Sequence, residues 1–592
     1  MLERFLSRAR ADEPVYLGEV RDAFAREARR PFRCHVLGYD GTVRRCPLLL
    51  PEYAPGAETA FVESYVYATL YNILSALGAL RVDVYTEPGD AQLTALANRL
   101  NDVFQTDLPK ELRSGYGKCL NVNERTIAAL FGAEHRFAFR PLPLSEEPEV
   151  AERALCAPDG GVFARLPEAA AGKLAMGMDI GGTDVKLVAS VYGKLAVYKE
   201  FDWFPAAFGR AEQLVAPLLL LTRLMRAAAS LCAAGLGRFL DTAALGKHAT
   251  REEMERGCAA MEAAANSALR NFDAIGLCFP DVVIRNRIVG GETYKTRGMR
   301  ENKSLDYEKQ FAEITGLADR LAVFVTPDGA VRNTNDGPMA AFTTAVEQAA
   351  AGMDVSKGFF AHTLGTELGT GWVRPDGSIP EIPLEVYNFI IDLGSFPQRA
   401  YLPNDARSVN NFNTGLPGTL QKYACQSGVF RLALRDLPAA DPGVLREAFD
   451  RGLFVREGDL IVVPTEPEDR RKPCLEFFIE KASDPAHPAC AEIFRRIGES
   501  LGACWVETNQ ILRPETAERT LYGRLVKSPA CFEFLCEGAR RVVPGLVQRA
   551  ADDNLANTPL MKQLAGNPDY TVAQFAQAVG AVYFGCLGFA VK

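Results

Sequence analysis

The stretch Gly177-Met-Asp-Ile-Gly-Gly-Thr-Asp-Val-Lys-Leu187 constrains this chain more than any other. An apolar run from Leu174 to Met178 arrives at the carboxylate of Asp179. Two glycines and a threonine follow, and then Val185, Leu187, Ala189 and Val191 alternate with other residues. That pattern predicts strand, tight turn, strand. The glycines are expected to let the backbone turn with positive φ and to leave no Cβ between the amides and an anion. Successive N–H groups in such a turn form a concave nest for phosphate oxygens. Gly-Gly-Thr alone fits an ordinary hairpin equally well; an Asp before it and Lys186 after it favour phosphate.

Bulk properties narrow the class. A chain of 592 residues is too long for one core, so several domains are expected. Its net charge of −8 argues against a surface for polyanions, and so against nucleic acid as a principal partner. The start lacks a long apolar core, and Val215–Leu221 and Ala578–Val591 are too short to span a bilayer, so a cytoplasmic location and no membrane partner are expected. The 14 cysteines are scattered, with no Cys-x-x-Cys, and read as small core residues.

Residues 1 to about 170 show helical spacing over Phe61–Gly78, alternation over Leu80–Tyr85 and a second amphipathic pattern over Ala91–Phe104, an α+β module. A short helix is expected around Ile127–Phe131, and a linker over Ser145–Gly161. A basic recognition helix is missing from this module, which argues against a DNA-binding head. After the hairpin come a strand at Lys194–Tyr198 and helices over Ala211–Gly235 and Arg251–Phe272. A strand at Ala274–Val283 follows. Thr334-Asn-Asp-Gly-Pro-Met-Ala-Ala341 then leads into a helix of small residues. An Asp at such a helix mouth is oriented by backbone amides and the dipole; its other reading is a plain N-cap. Phe359–Val373 is a second Gly/Thr hairpin between two strands. Two such hairpins with an Asn-Asp pair between them form a far stronger signal than either alone.

Together these motifs resemble the ROK sugar kinases of the actin-like ATPase superfamily. The resemblance runs from Leu174 to the C-terminus. It implies an α/β fold of two duplicated RNase H-like lobes with a cleft between them, plus the extra α+β N-terminal domain. The expected bounds are 1–170 for that domain, 171–345 and 346–570 for the lobes, and 571–592 for a C-terminal helix packing back on the first lobe. Gly181, Gly182, Thr183, Lys186, Gly365 and Thr366 are then the phosphate contacts of ATP, and Asp179 orients Mg²⁺ through water. Asp336 is the general base, with Asn335 beside it. Glu385-Val-Tyr-Asn388 stands where the family has Glu-x-x-His, and Gln421 where it has a Glu, so Glu385, Asn388 and Gln421 are sugar contacts with two substitutions. Tyr294–Gly298 occupies the place of a sugar-contacting loop. Thr520–Leu525 resembles the adenosine turn, with Gly523 and Arg524 on the adenosine side. Asn411–Tyr423 replaces the family's cysteine run and offers no thiolate, so no zinc is expected.

The function implied is ATP-dependent phosphorylation of a hexose or hexose-derivative hydroxyl, with ATP and Mg²⁺ as cofactors, a sugar as partner and a homodimer left open. The alternative is a catalytically weak regulator that senses a sugar or nucleotide with the kinase fold.

Overall fold

The N-terminal region contributes a sheet whose first two strands the hydrophobic pattern does not announce. Arg30–Leu37 (β1) pairs antiparallel with Val43–Leu50 (β2) and with Arg81–Thr86 (β3), and β3 runs parallel to Phe139–Pro143 (β4). The order is β2-β1-β3-β4, so β2 is an edge strand, the place where Pro47 is tolerated in a sheet. The helix Ala57–Leu77 is buried along most of its length, as its apolar spacing predicts. The expected short helix near Ile127 is longer, Cys119–Phe131, and Ala91–Phe104 breaks into Ala91–Asn98 and Leu100–Val103.

A computed structural model describes residues 1–27, 30–151, 156–159, 161–290, 294–365, 368–394, 400–552 and 555–591. Its contacts divide the chain into two units of discontinuous sequence. The first comprises Met1–Ala154, Ala361–Thr370 and Ile382–Ala551; the second comprises Leu155–Phe360, Gly371–Glu381 and Asp552–Lys592.

The second unit is built on Leu174–Ile180 (β5), Asp184–Val191 (β6), Lys194–Asp202 (β7) and Phe272–Phe279 (β8). A small ladder of Val283–Ile284 (β9) and Arg287–Ile288 (β10) follows, then Val325–Asn335 (β11). The sheet order is β11-β8-β5-β6-β7; β5, β8 and β11 are parallel, and β6 opposes both of its neighbours. This is the RNase H-like order expected from the sequence. Strands β5 and β8 are buried nearly throughout, hence their continuous apolar runs. The helix Val572–Gly585 lies directly on them. A methyl group on Gly177 would fall 1.8 Å from the Ala578 carbonyl oxygen, and one on Gly276 would fall 1.8 Å from that of Ala581.

Val215–Leu221, expected to be too short for a membrane span, is the middle of a longer helix, Ala211–Ala233. By length and composition that helix is apolar enough to cross a membrane. In this fold its apolar residues are buried in the core it shares with β6 and β7.

The second sheet consists of Phe359–Leu364 (β12), Leu368–Val373 (β13), Glu518–Tyr522 and Val547–Ala550. Between them in sequence lies a hairpin of Val455–Glu457 (β14) and Leu460–Val462 (β15), so the last two strands are β16 and β17. The order β13-β12-β16-β17, with β12, β16 and β17 parallel, repeats the plan β6-β5-β8-β11 of the other sheet. The helix Gln426–Ala440 runs through Pro438, Pro442–Asp450 is a separate helix, and a further helix spans Arg471–Ser483.

Within the first unit, residues from the N-terminal region bond directly to the segment 384–393. The Asn72 side chain accepts from the Ile390 N–H at 2.7 Å and donates to the Ile390 carbonyl at 2.9 Å. The Leu384 and Glu385 N–H groups donate to the carbonyls of Ala76 (3.0 Å) and Ser75 (3.1 Å). Leu17 donates to Ile391, and Leu393 to Val15, both at 2.9 Å. Asn72→Leu strands both polar groups of Ile390 in a dry interior. At about 1–3 kcal/mol for each buried group left unpaired, urea denaturation should show a loss of about 2–6 kcal/mol.

Candidate functional site

In the second unit the carboxyl ends of three neighbouring parallel strands converge. Asp179 of β5 stands in register with Cys278 of β8, and Cys278 with Thr334 of β11; Asn335 pairs with Phe279. Asp336 follows one residue beyond the strand. The ends of parallel strands are where an open α/β sheet offers its binding crevice.

Asn335 caps the helix Asp336–Ala350: its side-chain oxygen accepts from the Gly337 N–H at 3.0 Å, and its amide donates to the Asp281 carbonyl at 2.7 Å. Of the two readings of Asp336, the plain N-cap therefore falls to Asn335 instead. With Asn335 as the cap, Asp336 becomes the first helical residue, one oxygen accepting from Gly337 N–H at 2.9 Å. Among the described residues Asp336 makes no ion pair. Solvent reaches its carboxyl, yet crowding by the surrounding protein raises its pKa above the usual value. Lys295 is the largest opposing influence. Asp179 is also pushed upward, chiefly by burial; the Cys278 thiol, which donates to it at 3.2 Å, and Lys186 pull it back, while Asp336 adds like-charge repulsion. Two carboxylates that repel each other on one rim form a site that favours a cation.

The first hairpin forms between β5 and β6, with one correction. Neither Gly181 nor Gly182 takes the positive φ expected of it. Their role is clearance: a methyl on Gly181 would lie 2.8 Å from the Asp184 carbonyl oxygen, and one on Gly182 would lie 3.3 Å from Cε of Lys295. Trp203 braces the turn, donating its indole N–H to the Gly181 carbonyl and its backbone N–H to Thr183, both at 3.0 Å. Among the described residues the N–H groups of Gly182 and Thr183 and the Thr183 hydroxyl have no hydrogen-bond partner, and Thr183 is exposed. Lys186, expected to contact phosphate, has its ammonium 2.5 Å from Asp184 and is spent there.

Sequence reasoning passed over two residues here. Trp203 gives no local signal, since its partners lie about twenty residues away. Lys295 sits in the stretch singled out as a loop, now a short helical turn followed by a helix over Arg297–Glu301. Only its charge near a phosphate motif hinted at it.

The other expected contacts belong to the first unit. Thr366 lies outside the described residues. Gly365 ends β12, and its carbonyl accepts from the Gln426 N–H at 3.1 Å, at the start of the helix Gln426–Ala440. Beside it a cleft of about 360 Å³ is lined by Lys422, Gln426, Ser427, Phe430, Val463 and Arg471. Gly523 has φ +95°, and a methyl there would meet the Leu364 carbonyl oxygen at 2.2 Å, so the end of β16 closes against the end of β12. Arg524, expected on the adenosine side, is paired with Glu476.

Glu385 is half-buried, and its negative charge pushes the Tyr71 phenol and the Cys119 thiol upward, in each case adding to the larger effect of burial. Asn388 and Gln421 are both buried. Asn411 donates to Asn388 at 3.4 Å, which links the loops at 385–388 and 411–421, and the Phe412 N–H donates to Gln421 at 3.3 Å within the second loop.

Among the described residues no three His, Cys, Asp or Glu side chains gather as a metal cage. One carboxylate with water ligands is nonetheless the donor set that suits Mg²⁺ arriving on a phosphate chain, and Asp179 fits it.

No family model matches the chain, and no curated protein matches it in sequence. It is similar in structure to a ROK hexokinase from Thermus thermophilus, at 15% identity over 70% of this chain and 98% of that one, TM-score 0.36. It is similar also to a ROK family glucokinase from Streptomyces griseus solved with glucose and AMPPNP, at 15% identity over 70% and 99%, TM-score 0.34. A third is a Leishmania braziliensis glucokinase, at 10% identity over 68% and 97%, TM-score 0.36. Scores of this size carry no functional argument; the fold rests on the strand order above.

The cap and the carboxylate separate in a stability experiment. A carboxyl with a raised folded pKa binds its proton more tightly folded than unfolded. Its contribution is therefore fully present below the unfolded pKa and lost as pH rises through the folded one. Asp336→Asn should leave the urea midpoint at pH 7 unchanged or higher, with the difference shrinking in acid. Asn335→Ala should cost about 1 kcal/mol at every pH, the loss of a helix cap.

Proposed function

We propose that this chain transfers the terminal phosphoryl group of ATP to a hydroxyl of a hexose or hexose derivative. The observation that carries the reading is the division of labour at the helix mouth: Asn335 does the capping, and Asp336 stands unpaired beside a turn whose amides are open. A carboxylate with its pKa raised suits the task of taking a hydroxyl proton. The Gly182 and Thr183 amides and the Thr183 hydroxyl are donors for phosphate oxygens. Asp179 holds a water of the hydrated metal. Glu385, Asn388 and Gln421 are assigned to the sugar, and Gly365, Thr366 and Gly523 to the nucleotide. Arg524, tied to Glu476, is dropped from direct contact in this reading.

ATP supplies the transferable group, and its Mg²⁺ supplies counter-charge. What the protein must add is alignment and fixed dipoles.

A second reading has one observation in its favour. Asn388 and Gln421 hold loop groups in place, as a protein that senses a sugar without turning it over would allow. ATP consumption against hexoses, amino sugars and N-acyl sugars, with Mg²⁺ present, decides between them. The kinase reading expects ADP with at least one sugar, and a loss of about 10²–10⁴-fold in Asp336→Asn with the fold intact. Tight sugar binding with no ADP would establish the regulator instead, and wild-type turnover in Asp336→Asn would remove that residue from its role.

A further inference from the structure

We propose that Lys295 is the cation that grips the phosphate chain, a contact additional to those assigned from the hairpin. The inference rests on the reading that the Gly181–Thr183 turn receives a polyphosphate. Three observations place Lys295 there. Its side chain crosses the turn, with Cε 3.3 Å from where a Cβ of Gly182 would stand. Its ammonium has no carboxylate partner among the described residues and touches only the Pro280 carbonyl, at 3.5 Å. It also acts on Asp336 across the same rim. The rival cation, Lys186, is already neutralised by Asp184 at 2.5 Å.

A half-buried ammonium without an anion among the described residues, beside two amides that lack acceptors there, is an incomplete ion pair. The missing partner is an anion, and one with several oxygens can meet the Gly182 and Thr183 amides and the ammonium at once. A di- or triphosphate chain has that shape. A lysine acts on it as a compact point charge.

In the transfer step the acceptor hydroxyl gives its proton to Asp336, and its oxygen bonds to the γ-phosphorus. The bond from that phosphorus to the β-bridging oxygen breaks, and ADP leaves with the electron pair. Lys295 exchanges no proton. It offsets charge on the phosphoryl oxygens as the bonds change, and it favours the charged form of Asp336.

The competing explanation is that Lys295 merely packs over the hairpin. Lys295→Met keeps the stem and removes the charge; Lys295→Arg keeps the charge. Thermal melting first verifies that both variants fold. Calorimetric titration with tripolyphosphate, ATP and AMP then reads the contact without any need for turnover. Losing one charge-assisted contact should weaken tripolyphosphate and ATP by about 10- to 100-fold in Lys295→Met, with partial recovery in Lys295→Arg and AMP unchanged. If a sugar is phosphorylated, the acid limb of kcat/KM should move to higher pH in Lys295→Met, because Asp336 loses a stabilising cation. A packing role would not move it.

Equal tripolyphosphate affinity in wild type and Lys295→Met overturns the proposal while leaving the kinase reading intact, provided wild type binds ATP. Wild type that binds neither ATP nor tripolyphosphate overturns both. Wild type that binds tripolyphosphate through Lys295 but phosphorylates no sugar sustains this contact and sinks the kinase reading alone.

Discussion

The second unit depends on backbone meeting backbone. Helix Val572–Gly585 sits so close on β5 and β8 that only hydrogen fits at Gly177 and Gly276. The same economy recurs where Gly580 faces the Thr343 hydroxyl and Gly371 faces the Gly337 carbonyl. A single methyl would have to displace the Thr343 side chain at Gly580 and main chain at Gly371. Such contacts leave the sheet little freedom to slide, and they fix how far β5, β8 and β11 project at their carboxyl ends. The positions of Asp179 and Asp336 follow from that registration rather than from side-chain packing around them.

The rim so created is electrostatically uncomfortable. Asp179 and Asp336 raise the cost of each other's charge, Asp184 adds to it, and burial works in the same direction. A structure selected for stability alone would place amides there. Keeping ionisable groups at a crowded strand edge, with a lysine nearby, costs stability that the proposed chemistry would account for.

What could be read in advance follows a simple divide. The β5–β6 hairpin, the helix after Asn335 and β8 all declare themselves through local pattern, because period and turn residues are written within ten positions of one another. The lobe order could be expected once both hairpins were recognised. The edge strand β2 was hidden by Arg44, Arg45 and Pro47, which an edge tolerates and a sequence pattern penalises. The pairing of Lys186 with Asp184, two residues away and of opposite charge, went unremarked, and the turn conformation of Gly181 was misread because glycine also serves clearance. Trp203 and Lys295 were invisible for a different reason. Each earns its role only through a contact across 20 or more residues, which no local pattern encodes.

The bonds from Val15, Leu17, Asn72, Ser75 and Ala76 to residues 384–393 have a consequence for how the gene can be trimmed. The opening quarter of the chain behaves as a splint rather than an appendage. A shortened version beginning at the first glycine hairpin would retain every motif a reader would look for, yet would leave the strap bearing Glu385 with its main-chain partners deleted.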